Sequence, residues 1–242
     1  MKRKSKLQFR RAVNTIPADK PILFWDTCAL LDMLRIPYRD KYDINLLISY
    51  ERISDMIKRG DIVSLTSSIV DIEFDNHYGG TLNELRRSVG KVKRQAKEYT
   101  DYMSDNHLKS SIKTEIDRIE IEQRLLNVLD DVTRNTILVN GNKKLDKIAK
   151  DRVIYKVAPA SVKGEYKDCY IWATFVSLMK DLNPTKLSCF ATTNVRDYKQ
   201  KNNSNPLQQL IDDCDLNANV KAAFDINRVR IDFENVLGLP HI

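Results

Sequence analysis

Hydrophobic positions along the chain alternate between short unbroken runs and longer stretches at helical spacing. Ile22-Leu23-Phe24-Trp25 is fully apolar and ends in Asp26 and Thr27. Such a run predicts a buried strand that delivers two polar side chains at its tip. A helix is expected through Leu34, with a break at Pro37, and a second across 42–58, where Ile44, Leu47, Ile48, Ile53, Met56 and Ile57 share a face and Gly60 supplies the stop. Residues 61–66 read as another strand. Ser67 or Ser68 then caps a helix carrying Ile69, Val70, Ile72, Glu73 and Phe74.

The pattern changes over 81–135. Charged residues dominate, and Ile112, Ile116, Ile119, Leu125, Leu126 and Leu129 are sparse apolar positions at helical spacing. One or two solvated helices are expected there, forming an inserted arm. Residues 136–163 carry only a turn at Gly141, a short helix within 145–157 and a break at Pro159. From Gly164 onward a helix is expected that is apolar nearly all round, stopped by Asn183-Pro184. Residues 187–193 read as a strand with a loop from Asn194 to Asp197, followed by a helix over 206–214 and a last strand over 228–233. Strands alternating with helices imply an α/β fold with a central, mostly parallel sheet covered on both faces. The organisation expected is a basic lead-in over 1–20 and one domain over 21–242.

The 242 residues are 42% hydrophobic and 30% charged, enough for a core without staples. The four Cys form no C-x-x-C pair and read as reduced, buried thiols, which argues against zinc. No apolar run is long enough to span a bilayer, and the chain reads as cytoplasmic with no membrane partner. A net charge of +7 favours a polyanionic partner. Part of that charge lies in the lead-in, which reads equally as a solvated terminus or as a nucleic-acid contact. More of it lies in Arg86, Arg87, Lys91, Lys93 and Arg94, with Lys163 and Lys167 further on; all seven are candidates to line a nucleic-acid path or to be plain solvated charge.

In open parallel sheets, ligands sit beyond the carboxyl ends of the strands. Asp26 and Asp197 fall at such ends, and Glu73 and Asp168 fall near the starts of helices that can pack beside them. Two carboxylates about 4 Å apart repel by roughly 4 kcal/mol at an effective dielectric near 20. A cluster of four therefore needs a cation or must protonate. Carboxylate oxygens select Mg²⁺ or Mn²⁺ over zinc, which points to phosphoryl chemistry. Each acid also has a plainer role: Asp26 as a helix cap, Glu73 and Asp168 facing helix dipoles, and Asp197 closing a turn. Asp71 competes with Glu73 for the site. His77, four residues after Glu73, has no second ligand pair nearby and reads as a surface residue. P-loop and dinucleotide-binding motifs do not occur.

Taken together, Phe24-Trp25-Asp26-Thr27, Ser67 to Phe74, Tyr166-Lys167-Asp168-Cys169 and Thr192-Thr193-Asn194-Val195-Arg196-Asp197-Tyr198 resemble the ordered acids of the PIN-domain family of metal-dependent nucleases. The resemblance implies a three-layer α/β/α sandwich and Mg²⁺- or Mn²⁺-dependent cleavage of RNA. It makes Asp26, Glu73 and Asp168 metal ligands, with Asp197 completing the pocket and Thr27, Thr193 and Asn194 in support. It further implies an antitoxin or phage-defence protein as partner, and a homodimer. The long charged stretch after Glu73 departs from the compact family members. A non-catalytic nucleic-acid-binding scaffold and a flap-type DNA nuclease remain as alternatives.

Overall fold

The apolar run Ile22–Trp25 is buried at every position. That is the pattern of a parallel strand covered on both faces. A computed structural model describes residues 5–38, 43–105, 113–163, 165–198, 207–214 and 217–240. The expected helix starts at Tyr42, Gly164 and Pro206, and residues 106–112 of the arm, lie outside them.

In chain order the elements are β1 (Ser5–Gln8), α1 (Phe9–Thr15), β2 (Ile22–Trp25), α2 (Thr27–Arg35), a 3-10 turn (Ile36–Tyr38), α3 (Ile44–Arg59), β3 (Val63–Ser67) and α4 (Ser68–Asp105). Then follow α5 (Lys113–Asn135), β4 (Ile137–Asn140), α6 (Lys143–Ile154), α7 (Ala160–Lys163), α8 (Tyr166–Leu182), β5 (Ser188–Ala191), α9 (Val195–Tyr198), α10 (Gln208–Cys214), β6 (Val220–Ala223) and α11 (Ile226–Leu237). The six strands form one sheet in the order β1-β4-β3-β2-β5-β6, and every pairing is parallel. Right-handed crossovers then divide the helices between the two faces. Helices α2, α3, α4, α5 and α11 pack together on one side, and α1, α6 and α8 on the other. This is the α/β/α sandwich.

Three strands escape a reading of periodicity. β1 brings part of the basic lead-in into the sheet, pairing Ser5 to Gln8 with Ile137 to Asn140. β4 and β6 are four residues each. The expected strand over 228–233 is instead the middle of α11. Arg-Val-Arg-Ile-Asp-Phe alternates with period two, yet Ile226, Val229, Arg230 and Phe233 are buried at helical spacing. Asp225 caps its start by accepting from Asn227 N–H, and Gly238 stops it at φ 66°. The apolar helix α8 is buried along most of its length and ends at Asn183, as expected.

Candidate active site

Register explains why the acids converge. Trp25 pairs with Thr66 on one side and Ala191 on the other, so the next residues, Asp26, Ser67 and Thr192, stand in a row at the sheet's carboxyl edge. The chain goes from β2 to β3 and β4 in one direction and returns to β5 and β6 in the other. Asp26 therefore sits at the switch point, where parallel sheets open a crevice.

Asp26 is only 2% exposed. Its Oδ1 accepts from Thr27 N–H at 2.7 Å, so it caps α2, and its Oδ2 accepts from the Thr192 hydroxyl at 2.5 Å. Burial pushes its carboxyl up to about 6, against the pull of these two bonds; Glu73 and Asp197 add repulsion. Glu73 reaches in from the second turn of α4. Its Oε2 accepts from the Thr27 hydroxyl at 2.8 Å, and its Oε1 pairs with Lys167 Nζ at 3.1 Å. Asp168, in the first turn of α8, is pushed up to about 8 by burial, then by repulsion from Asp26, Asp197 and Glu73. Asp197 is 4% exposed; its Oδ2 accepts from Asn194 Nδ2 at 2.9 Å, while its Oδ1 is buried without a hydrogen-bond partner. The four acids thus face one another electrostatically. It is Glu73, through the Thr27 hydroxyl, that ties α4 into the cluster.

The loop after β5 is tied into this cluster. Asn194 N–H donates to the Thr192 hydroxyl at 3.1 Å, and the buried Tyr198 hydroxyl donates to the Asp168 carbonyl at 3.3 Å. In this loop the threonine bound to a carboxylate is Thr192, not the expected Thr193, which is half-buried. The sequence reading missed Thr192 because the side-chain period of two leaves a strand's end ambiguous by one residue. Cys28, half-buried beside Asp26 and Asp168, has its thiol pushed upward by burial and by those acids, so it stays protonated.

The other candidates lie outside the cluster. His77 is exposed one turn beyond Glu73. Lys163 is exposed at the end of α7, and Lys167 is engaged with Glu73. Arg86, Arg87, Lys91, Lys93 and Arg94 are exposed on α4, about 20–32 Å along the helix from Glu73 at 1.5 Å per residue.

A hard divalent cation suits this donor set in kind: carboxylate oxygens, an excess of negative charge, and one buried oxygen on Asp197 without a partner. As the side chains stand, no group of three or more His, Cys, Asp or Glu among the described residues is arranged to hold one.

A parallel sheet that gathers carboxylates at its switch point defines a class of proteins with an acidic pocket at the strand ends. The chain belongs to the PIN-domain family: the model of the PIN domain matches residues 23–198, a span that holds all four acids. Members of that family are generally nucleases. No curated protein and no solved structure matches the chain. None of the helices among the described residues is long and apolar enough to cross a membrane.

Proposed function

We propose that this chain is a divalent-metal-dependent endoribonuclease that hydrolyses RNA at the carboxylate cluster, working as a toxin or phage-defence effector. The observation that carries the reading is the mutual repulsion of four acids around a buried Asp26, with Asp168 pushed up to about 8. Such a pocket is costly as a structural feature and inexpensive once a cation enters.

Asp26, Glu73 and Asp168 would hold Mg²⁺ or Mn²⁺, with Asp197 completing the pocket. When bound, the ion supplies Lewis-acid polarisation of the phosphodiester and a water of lowered pKa. The chain's own contribution is positioning. Thr27 fixes Asp26 through its N–H and Glu73 through its hydroxyl, so one residue sets the spacing of two acids. Thr192 fixes the far side of Asp26, and Asn194 orients Asp197. Lys163 and Lys167, exposed at the end of α7 and in the first turn of α8, would meet the phosphate backbone.

The experiment is cleavage of total RNA and tRNA in Mn²⁺, Mg²⁺ or EDTA, for wild type beside Asp26→Asn. Metal-dependent cleavage lost in the variant supports the proposal; equal cleavage by both proteins overturns it. Competing RNA and DNA substrates separate it from a flap-type DNA nuclease.

A second reading has one observation on its side. Lys167 already neutralises Glu73, so the fold can serve as a non-catalytic nucleic-acid-binding scaffold with a lysine in the cation's place. That protein would bind nucleic acid equally well with chelator and cleave none.

A further inference from the structure

Helix α4 runs 38 residues from the acid cluster into the arm. One of its faces is buried by Phe74, Thr81, Leu85 and Val89. Beside it runs a flank on which Gly80, Glu84, Arg87, Lys91 and Arg94 are all exposed. Lys91 lies 18 residues after Glu73, five full turns at 3.6 residues per turn, so it projects from the same side as the acid. Arg87 and Arg94 lie within about 60° of that line at 100° per residue. All three cations are exposed, and none makes an ion pair among the described residues. The segment 84–98 carries six Lys and Arg against Glu84 and Glu98.

Between the acid and these cations stand Gly79 and Gly80, both mid-helix. A Cβ added at either meets nothing within 4 Å. Packing therefore does not account for them, and glycine destabilises a helix interior relative to alanine. A bare helix surface at that point admits the close approach of another backbone.

We infer that the exposed face of α4 is a nucleic-acid track: the substrate's backbone passes from the acid cluster over Gly80 to an anchor at Arg87, Lys91 and Arg94. The inference rests on the nuclease reading for what happens at the cluster, and adds a length requirement. Glu73 and Lys91 are about 27 Å apart along the helix. At about 3.4 Å per base step, a stacked substrate spans this distance in roughly eight steps from the cut. Structured or long RNA meets this; a short stacked oligonucleotide does not.

The test measures binding in EDTA, where no metal-dependent cleavage interferes, using a fluorescent 30-nucleotide RNA hairpin and a 5-nucleotide RNA. Wild type is expected to bind the hairpin at least tenfold more tightly. Arg87→Ala/Lys91→Ala/Arg94→Ala should abolish that difference and flatten the log–log salt slope by about two to three, at roughly 0.7–0.9 per phosphate contact. Lys143→Ala/Lys147→Ala, on the other helical layer, should leave both unchanged. Gly80→Leu should hold or raise the melting temperature and still weaken hairpin binding several-fold, a combination that a purely structural role cannot produce. Wild-type affinity and slope in the triple variant would overturn the track, including the case where the arm instead holds a protein partner. So would an equal loss in the Lys143/Lys147 control. Cleavage by wild type in Mn²⁺ is read separately, so failure of the track and failure of the nuclease reading are distinguishable.

Discussion

Buried charge is handled in two ways in this molecule. Along α11, each buried acid has a cation. Arg230 Nη1 pairs with Glu234 at 2.7 Å while its Nε donates to the Ser49 hydroxyl, and Asp232 is held by Lys221 and, at 3.1 Å, by Arg228. Beside α8, Asp213 accepts from Arg152 at 2.5 Å and from Trp172 Nε1 at 2.7 Å. At the carboxyl edge of the sheet, Glu73 is the one of the four acids with a cation among the described residues, and that lysine is half exposed. In the first arrangement each buried charge is met by an opposite one. The second is stable only with protons or a cation, and this imbalance marks the place where the fold is organised for something other than folding.

Replacing an acid should break the comparison most visibly. Asp26→Asn or Asp168→Asn is expected to lower metal-dependent RNA cleavage at least ~100-fold, the scale of several kcal/mol of lost electrophilic assistance. Asn keeps the shape and a capping oxygen, so melting temperature without metal should hold or rise. An equivalent cut into the balanced region should do the reverse. Arg230→Ala removes the cation paired with the buried Glu234 and should cost about 3–5 kcal/mol in chemical denaturation, with cleavage per folded molecule retained.

Acidity sharpens the contrast. The carboxyls of Asp26 and Asp168 are raised above their unfolded value, so the native state holds protons that the unfolded chain has lost. Their contribution is fully present below about pH 4 and is lost as pH rises through about 6 and then about 8. For Asp26 the change is about 3 kcal/mol at 1.36 kcal/mol per pH unit. Metal-free protein should therefore lose stability from pH 4 to 8, and Mn²⁺ should restore it; denaturation midpoints across that range with and without EDTA check both. The smallest effect belongs to Lys167→Met. An ion pair this exposed is worth under about 1 kcal/mol, so the melting temperature should barely move. Freed of its lysine, Glu73 should bring Mn²⁺ half-saturation to a lower concentration.

Much of the site is legible in the sequence because each acid adjoins an element with a strong signal. Asp26 ends an unbroken apolar run, Glu73 and Asp168 stand near the starts of patterned helices, and Asp197 follows the buried β5. What escapes has physical causes. β1, Ser-Lys-Leu-Gln, buries only Leu7 and is an edge strand with no period to detect. β6, Val-Lys-Ala-Ala, has weak strand propensity and is fixed by pairing with β5. The error over 228–233 weighed alternation above the cap and stop at Asp225 and Gly238, which favour a helix. Lys167 presents as substrate-facing charge in the sequence, and its pairing with Glu73 depends on how α8 and α4 meet.

A calorimetric Mn²⁺ titration in two buffers of different ionisation enthalpy decides whether a divalent cation completes the four acids. Near pH 7 Asp168 is still largely protonated, so binding should release protons, and fewer at pH 9. Saturable binding is expected for wild type, lost in Asp168→Asn. No binding to wild type, or undiminished binding to the variant, would contradict it.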